Sequence, residues 1–226
     1  NPVLVGNDVT IGQYVVFDSD EGPIVIDDNA RISPLAYIEG PCYIGKNVTI
    51  QPHAQIRKNT SIGHSCKIGG EVSGSVFQPY TNKAHHGFVG DSYIGSWVNF
   101  GAGTSTSNLK NTYGPVRAEY NGEKRDTGMQ FFGCVIGDYT KAAINTSIYT
   151  GKIIGVSAQL FGCVSENVGS FVMDTSDGKK EFELEAAIRT QKRMFERRGV
   201  EQSDEDVKKI EQIFRETAEQ RKEEIK

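Results

Sequence analysis

Two adjacent histidines, His85 and His86, lie in the segment Asn82-Lys83-Ala84-His85-His86-Gly87-Phe88-Val89-Gly90-Asp91 of a 226-residue chain that has only four. Imidazole titrates near neutrality, so a histidine there can take the proton that an amine loses as it attacks a thioester. Zinc is the other chemistry histidines offer. A catalytic zinc needs three protein ligands and one open position, and the spacings among His53, His64, His85 and His86 are 11, 21 and 1, with no four-residue step between ligands. Cys42, Cys66, Cys134 and Cys163 lie far apart without a C-x-x-C pair, which disfavours a zinc ribbon, a redox motif or a disulfide scaffold. They read as reduced, mostly buried small residues, and no metal site is expected.

The element that must position the histidines is a repeat. Isoleucine recurs at every sixth position from Ile26 to Ile68, and four residues after each comes a small or β-branched residue, such as Ala30, Ala36, Cys42 and Val48. A helix would space its apolar residues by three and four and a lone strand by two, so a period of six means one short strand plus one turn. The rule also runs through Val5, Ile11 and Phe17, slips near Asp20 to Pro23, and returns at Ile136, Ala142, Ile148, Ile154 and Leu160. Three hexads close one triangular coil, so residues 1–172 are expected to stack roughly eight coils of an all-β solenoid.

Two stretches break the period, Gly74 to Phe88 and about Ser105 to Gln130, and are expected to leave the scaffold as loops, where function concentrates. Residues 173–226 read as a helical tail: Glu181 to Arg198, a stop at Gly199, Ser203 as N-cap, then a second helix. Leu184, Ile188, Met194, Val207, Ile210 and Phe214 form its apolar face.

Net charge is −4 and the lysines and arginines are interspersed with acids, so no nucleic-acid footprint is visible and an anionic ligand must meet a local cluster. No apolar run approaches the roughly 18 residues that cross a bilayer, and a cytoplasmic location is expected. The first residue is Asn1, which suggests a fragment with a part upstream removed.

Residues 83 to 108, K-A-H-H-G-F-V-G-D-S-Y-I-G-S-W-V-N-F-G-A-G-T-S-T-S-N, resemble the acetyltransferase domain of the bifunctional N-acetylglucosamine-1-phosphate uridyltransferase/glucosamine-1-phosphate acetyltransferase family. The resemblance implies a left-handed parallel β-helix of hexapeptide repeats with a C-terminal α-helical tail, and acetyl-CoA as co-substrate. Counting six residues back from Asp91, the family's general base falls on His85. Its sugar-contacting Asn falls on Asn99, and its CoA-side positions on Ala102, Asn108, Ile144 and Gly162. Phe88 stands where the family has a Tyr, removing one hydroxyl contact to the sugar. The family's phosphate-binding Arg maps to Arg57. Its Lys partner has no counterpart near Ser73 to Ser75, so Lys83, Lys110 or Arg117 would substitute.

The helical tail departs from the family's usual short basic end and marks a divergent branch of sugar-phosphate nucleotidyltransferases. That half, with its Mg2+, would lie upstream, since no G-x-G-T-R-type loop occurs here. The resemblance further implies a homotrimer acting on a sugar phosphate. Two other readings compete: a non-catalytic trimerising platform for a nucleotidyltransferase, and a hexapeptide-type zinc carbonic anhydrase, which the histidine spacing disfavours.

Overall fold

A computed structural model describes residues 1–120 and 122–226. Short strands stack in parallel, each coil hydrogen-bonding to the coils before and after it. The chain builds a parallel β-helix with three faces. Among the described residues, face one is an eight-stranded sheet running from Val3–Val5 to Lys152–Ile154. Face two runs from Thr10–Ile11 to Val172–Thr175 and ends in an antiparallel strand, Gly178–Glu181. Face three consists of a five-stranded sheet, Val16–Asp18 to Phe88–Gly90, continued by Ser105–Thr106, Ser147–Ile148 and Cys163–Val164.

The hexad period gives each face one interior column. Ile26, Ile44 and Ile62 fill face one, Ile32, Ile50 and Ile68 face two, and Ile38 and Ile56 face three, all fully buried. Between faces the chain turns through left-handed backbone, supplied by Asn29, Asn47 and Asn59 in the most regular coils. At the corner joining faces one and two, aromatic residues hold the same conformation. Tyr80 and Trp97 both have φ near +60° (64° and 60°) and stack with ring centroids 4.1 Å apart.

The first break in the period is not a loop, which corrects the expectation for Gly74 to Phe88. Val76–Phe77 pairs with Thr60–Ile62, and Asn82–Lys83 pairs with Lys67–Ile68. The coil is only shortened, with Val72 beside Ile56 and Phe77 beside Ile62. Lys83 therefore takes the interior place that Ile68 holds one coil earlier. It is 1% exposed, and its ammonium donates to Gly69 O at 2.7 Å and His85 O at 2.8 Å. The methylene stem fills the column while the nitrogen reaches corner carbonyls. This removes Lys83 from the surface cations that could hold a phosphate.

The second break begins later than the repeat suggests, because Ser105–Thr106 is a regular strand. The excursion that follows contains an antiparallel pair, Arg117–Tyr120 with Glu123–Asp126. It folds back instead of protruding: Asn167 Nδ2 donates to Glu119 O at 2.8 Å, and Val116 is 1% exposed.

The last parallel strand, Val172–Thr175, straddles the expected boundary at 172/173. Three helices follow: α1 (Leu184–Glu196), α2 (Asp204–Glu216) and α3 (Ala218–Glu224). Ser203 caps α2 in a reciprocal capping box with Asp206. Ile210 and Ala187 pack on Phe171, with Leu184, Ile188 and Phe214 around them. Arg221 ties the tail together, donating to Glu181 Oε2 at 2.6 Å and to Phe214 O, and lying 3.8 Å over the Phe214 ring. No helix among the described residues is long and apolar enough to cross a membrane.

Arg221→Ala should destabilise the tail by about 2–3 kcal/mol, the scale of charged hydrogen bonds lost from a buried group. In urea, helical ellipticity should then disappear at a lower concentration than the sheet signal, whereas coincident transitions would reject this role.

Burial also holds the Lys83 ammonium down to about 8 from 10.5. Between those values the unfolded chain carries a proton that the folded chain lacks, so this lysine makes stability rise with pH across that window. The unfolding free energy of wild type minus that of Lys83→Met should therefore rise from pH 8 to pH 10. Taking the difference cancels the buried thiols, which act in the opposite sense, and a flat difference would refute the assignment.

Candidate functional site

The corner between faces two and three carries most of the sequence-predicted residues. In its regular form it is a four-residue turn, and His85 and His86 occupy the turn between Asn82–Lys83 and Phe88–Gly90. Ala102 lies in the turn one coil later, Ile144 in the next, and Gly162 in the one after that. Backbone hydrogen bonds fix the order: Gly103 N–H donates to His86 O at 3.2 Å, Asn145 N–H to Ala102 O at 2.8 Å, and Ser147 N–H to Gly162 O at 2.7 Å. At one strand spacing per coil, His85 and Gly162 stand about 14 Å apart along the axis. The corner is shortened just before this run, at Gly69-Gly70, and in its last turn, at Phe161-Gly162, where only four residues separate the paired interior positions.

Both histidines are exposed. They share a bend, so their side chains do not follow the alternation of a strand. Lys83 anchors the backbone of His85 from below. The His86 ring leans toward the next coil: a Cβ added to Gly103 would meet its Nε2 at 3.4 Å and would also collide with the Asn145 side chain. With φ of +78°, position 103 suits glycine on both counts. Ile144 is 69% exposed, and Phe161, at 42%, extends an apolar edge beside Gly162.

Asn99 is on face two, where Asn82 Nδ2 donates to its Oδ1 at 3.4 Å. Phe88 opens the next strand on face three, its N–H donating to Ser105 Oγ at 3.1 Å. The structure does not gather the rest. Asn108 lies across face three from Ala102 and donates to Asp91 Oδ2 at 2.6 Å. Arg57 sits beyond face three, paired with Glu39 at 2.8 Å and stacked over Tyr37. Lys110 donates within its own excursion to Pro115 O at 3.0 Å. His64 packs edge-on to Tyr80 at the corner between faces one and two. A groove of about 500 Å³ near it is lined by Asp27, Tyr43, Lys46, His64 and Gln78, and none of the residues at the histidine corner reach it.

Sequence reasoning missed the cations of face two. Arg198, just after α1, donates through Nη2 to Asn82 Oδ1 at 2.9 Å. Its approach is set by Phe195, whose ring lies 4.4 Å from Trp97. Lys141, beside Asn99 in register, donates to Trp97 O at 2.6 Å and Tyr139 O at 2.9 Å, and burial lowers its ammonium to about 7. Hexad spacing marks Lys141 only as an outward residue, and no local signal in the tail says where Arg198 lands.

Residues 23–58 match the family described as bacterial transferase hexapeptide (six repeats). The chain is 37% identical over 153 residues to a bifunctional sugar-1-phosphate nucleotidylyltransferase/acetyltransferase of Sulfurisphaera tokodaii, covering 66% of this chain and 38% of that protein. It is 38% identical over 147 residues to the bifunctional protein GlmU of Methanococcus aeolicus, covering 64% and 35%. To the bifunctional protein GlmU of a Cyanothece strain it is 30% identical over 168 residues, covering 73% and 28%. The chain thus spans less than two fifths of the length of these relatives. Among solved structures, a UDP-N-acetylglucosamine acyltransferase of Arabidopsis aligns over 83% of this chain and 73% of its own at 16% identity, with a TM-score of 0.42. The chain is a parallel β-helix whose residues 23–58 match the hexapeptide-repeat family, and its sequence is similar to the bifunctional sugar-1-phosphate nucleotidylyltransferase/acetyltransferases.

Proposed function

We propose that this chain transfers acetyl from acetyl-CoA to the amine of an amino-sugar phosphate resembling glucosamine-1-phosphate. The observation that carries the reading is the shared corner: His85, Ala102, Ile144 and Gly162 lie in four successive coils. An elongated thioester carrier laid along that corner brings its acyl carbon to the imidazole. Its chain then runs over the small residues Ala102 and Gly162, past the exposed side chain of Ile144.

His85 is the general base. As the amine nitrogen bonds to the acyl carbon, the carbon–sulfur bond breaks, the amine proton passes to imidazole, and the departing thiolate is then reprotonated. Transfer is direct, with no acyl-enzyme. Asn99, one strand above Asn82 on face two, orients the sugar. Phe88 bounds the site where face three begins.

The enzyme works as a homotrimer with sites between copies. Face one supports this, because its outward residues Leu4, Val25, Tyr43, Val76, Tyr93, Val135 and Ile153 make an apolar strip interrupted by Ser61. Sedimentation giving a stable monomer at micromolar concentration would dismiss it.

Acetyl-CoA at about 100 times its dissociation constant should add about 2.7 kcal/mol to folded stability. A rise in melting temperature with acetyl-CoA is expected. No shift at millimolar acetyl-CoA, alongside a shift with a nucleotide sugar, would favour a non-catalytic platform.

His85→Ala should cost about 10²- to 10⁴-fold in CoA release with glucosamine-1-phosphate, and His86→Ala less than about tenfold. One observation favours the reverse, namely that the His86 ring leans on Gly103 beside Ala102. An inactive His86→Ala beside an active His85→Ala would move the base by one residue. Two active variants would dismiss acyl transfer through this corner.

A further inference from the structure

The outward positions of face two have an unusual composition for a chain of net charge −4. In register through successive coils stand Arg31, Thr49, Lys67, Asn82, Asn99 and Lys141, with no carboxylate among them. The tail adds Arg198 over Asn82. Among the described residues neither Arg198 nor Lys67 lies within ion-pair distance of an acid, unlike Lys46, Arg57, Lys58, Lys179 and Arg221. Arg57, the expected phosphate ligand, is one of those paired cations. Lys141 is engaged by two carbonyls.

We infer that Arg198, Lys67 and Asn82 form an anion subsite on face two that takes the phosphate monoester of the acceptor. The guanidinium spends one of its five N–H donors on Asn82 Oδ1, leaving the others for a planar fork against phosphate oxygens. Lys67 is the outward neighbour of Asn82 in the coil below, and Asn99 its neighbour in the coil above. A phosphate held here lies beside the asparagine that orients the sugar, with His85 three residues along the chain from Asn82. Partial burial of Arg198 lowers its guanidinium pKa, mainly through desolvation, so an incoming dianion is met by a partly dehydrated cation. Two free cations suit one phosphate group and are too few for a polyanion, whose binding rests on many phosphate contacts.

The subsite rests on the amino-sugar phosphate reading above, and the experiment separates the two. Binding of inorganic phosphate and of glucosamine-1-phosphate to the full chain is measured by calorimetry for wild type, Arg198→Gln, Arg198→Lys and Lys67→Gln. The fluorescence of Trp97, the single tryptophan, reports whether α1 stays docked. Both Gln variants should weaken glucosamine-1-phosphate binding by about 10- to 100-fold, with Arg198→Lys intermediate. The KM for that substrate should rise in step, while the acetyl-CoA melting shift stays as in wild type. Should Arg198→Gln undock the tail, Lys67→Gln decides, because Lys67 makes no tail contact through an ion pair or hydrogen bond. Wild-type affinity for both anions in both Gln variants overturns the subsite, even if acetyl transfer is found. Weakened phosphate binding without any acetyl transfer keeps the anion site and removes the acetyltransferase reading.

Discussion

Each coil passes its backbone N–H and C=O groups to the coils above and below, and this parallel ladder sets the position of every residue that matters here. Once interior columns of isoleucine fix the register, a residue's place in its hexad decides whether it faces the core, a flat face or a corner. Side chains far apart in sequence then line up along the axis. His86 and Gly103, and Ala102 and Asn145, meet through backbone hydrogen bonds, although the turns that carry the second pair lie on opposite sides of the excursion. The excursion leaves and rejoins without disturbing the ladder, since Tyr93–Ile94 pairs directly with Cys134–Ile136.

The same regularity gives each face its own chemistry. Face one is outwardly apolar apart from Ser61, face two from Arg31 to Lys141 is outwardly polar and cationic without a carboxylate, and face three is mixed, with Tyr37, Gln55, Glu71 and Phe88 in register. On the proposed function, an acceptor with one anionic end and one amine would meet matching groups on face two and on the corner that ends it. The residues of the histidine corner are placed by backbone, which limits the entropy lost in ordering them.

Much of this was legible in the sequence because large aliphatic residues at a period of six have few alternative explanations. The columns through Ile26 to Ile68 and Ile136 to Leu160 fold as the spacing requires. Where Phe77 and Lys83 replaced aliphatic residues and the coils shortened, the pattern vanished while the structure continued. A lysine carries no apolar signal, and nothing local shows that two corner carbonyls will neutralise its burial. The corner run of His85, Ala102, Ile144 and Gly162 could be counted out in hexads, and the structure keeps it on one edge. Asn108 and Arg57 resisted the same counting because each sits past face three, a full strand away from that edge. Arg198 lay beyond local reasoning altogether, since its place depends on Phe195 finding Trp97.

The tail has a further consequence for how the solenoid opens. A stack of coils with only nearest-neighbour contacts frays from its ends, one coil at a time. Here Phe195 on Trp97, Arg198 on Asn82, Phe214 on Phe171 and Glu224 on the Gly169 N–H fasten the tail to several levels of the stack at once. Opening of the strapped coils must undo contacts at several levels together, so their amide exchange would be slowed, and the histidine corner lies between the levels of Asn82 and Trp97 that the tail grips.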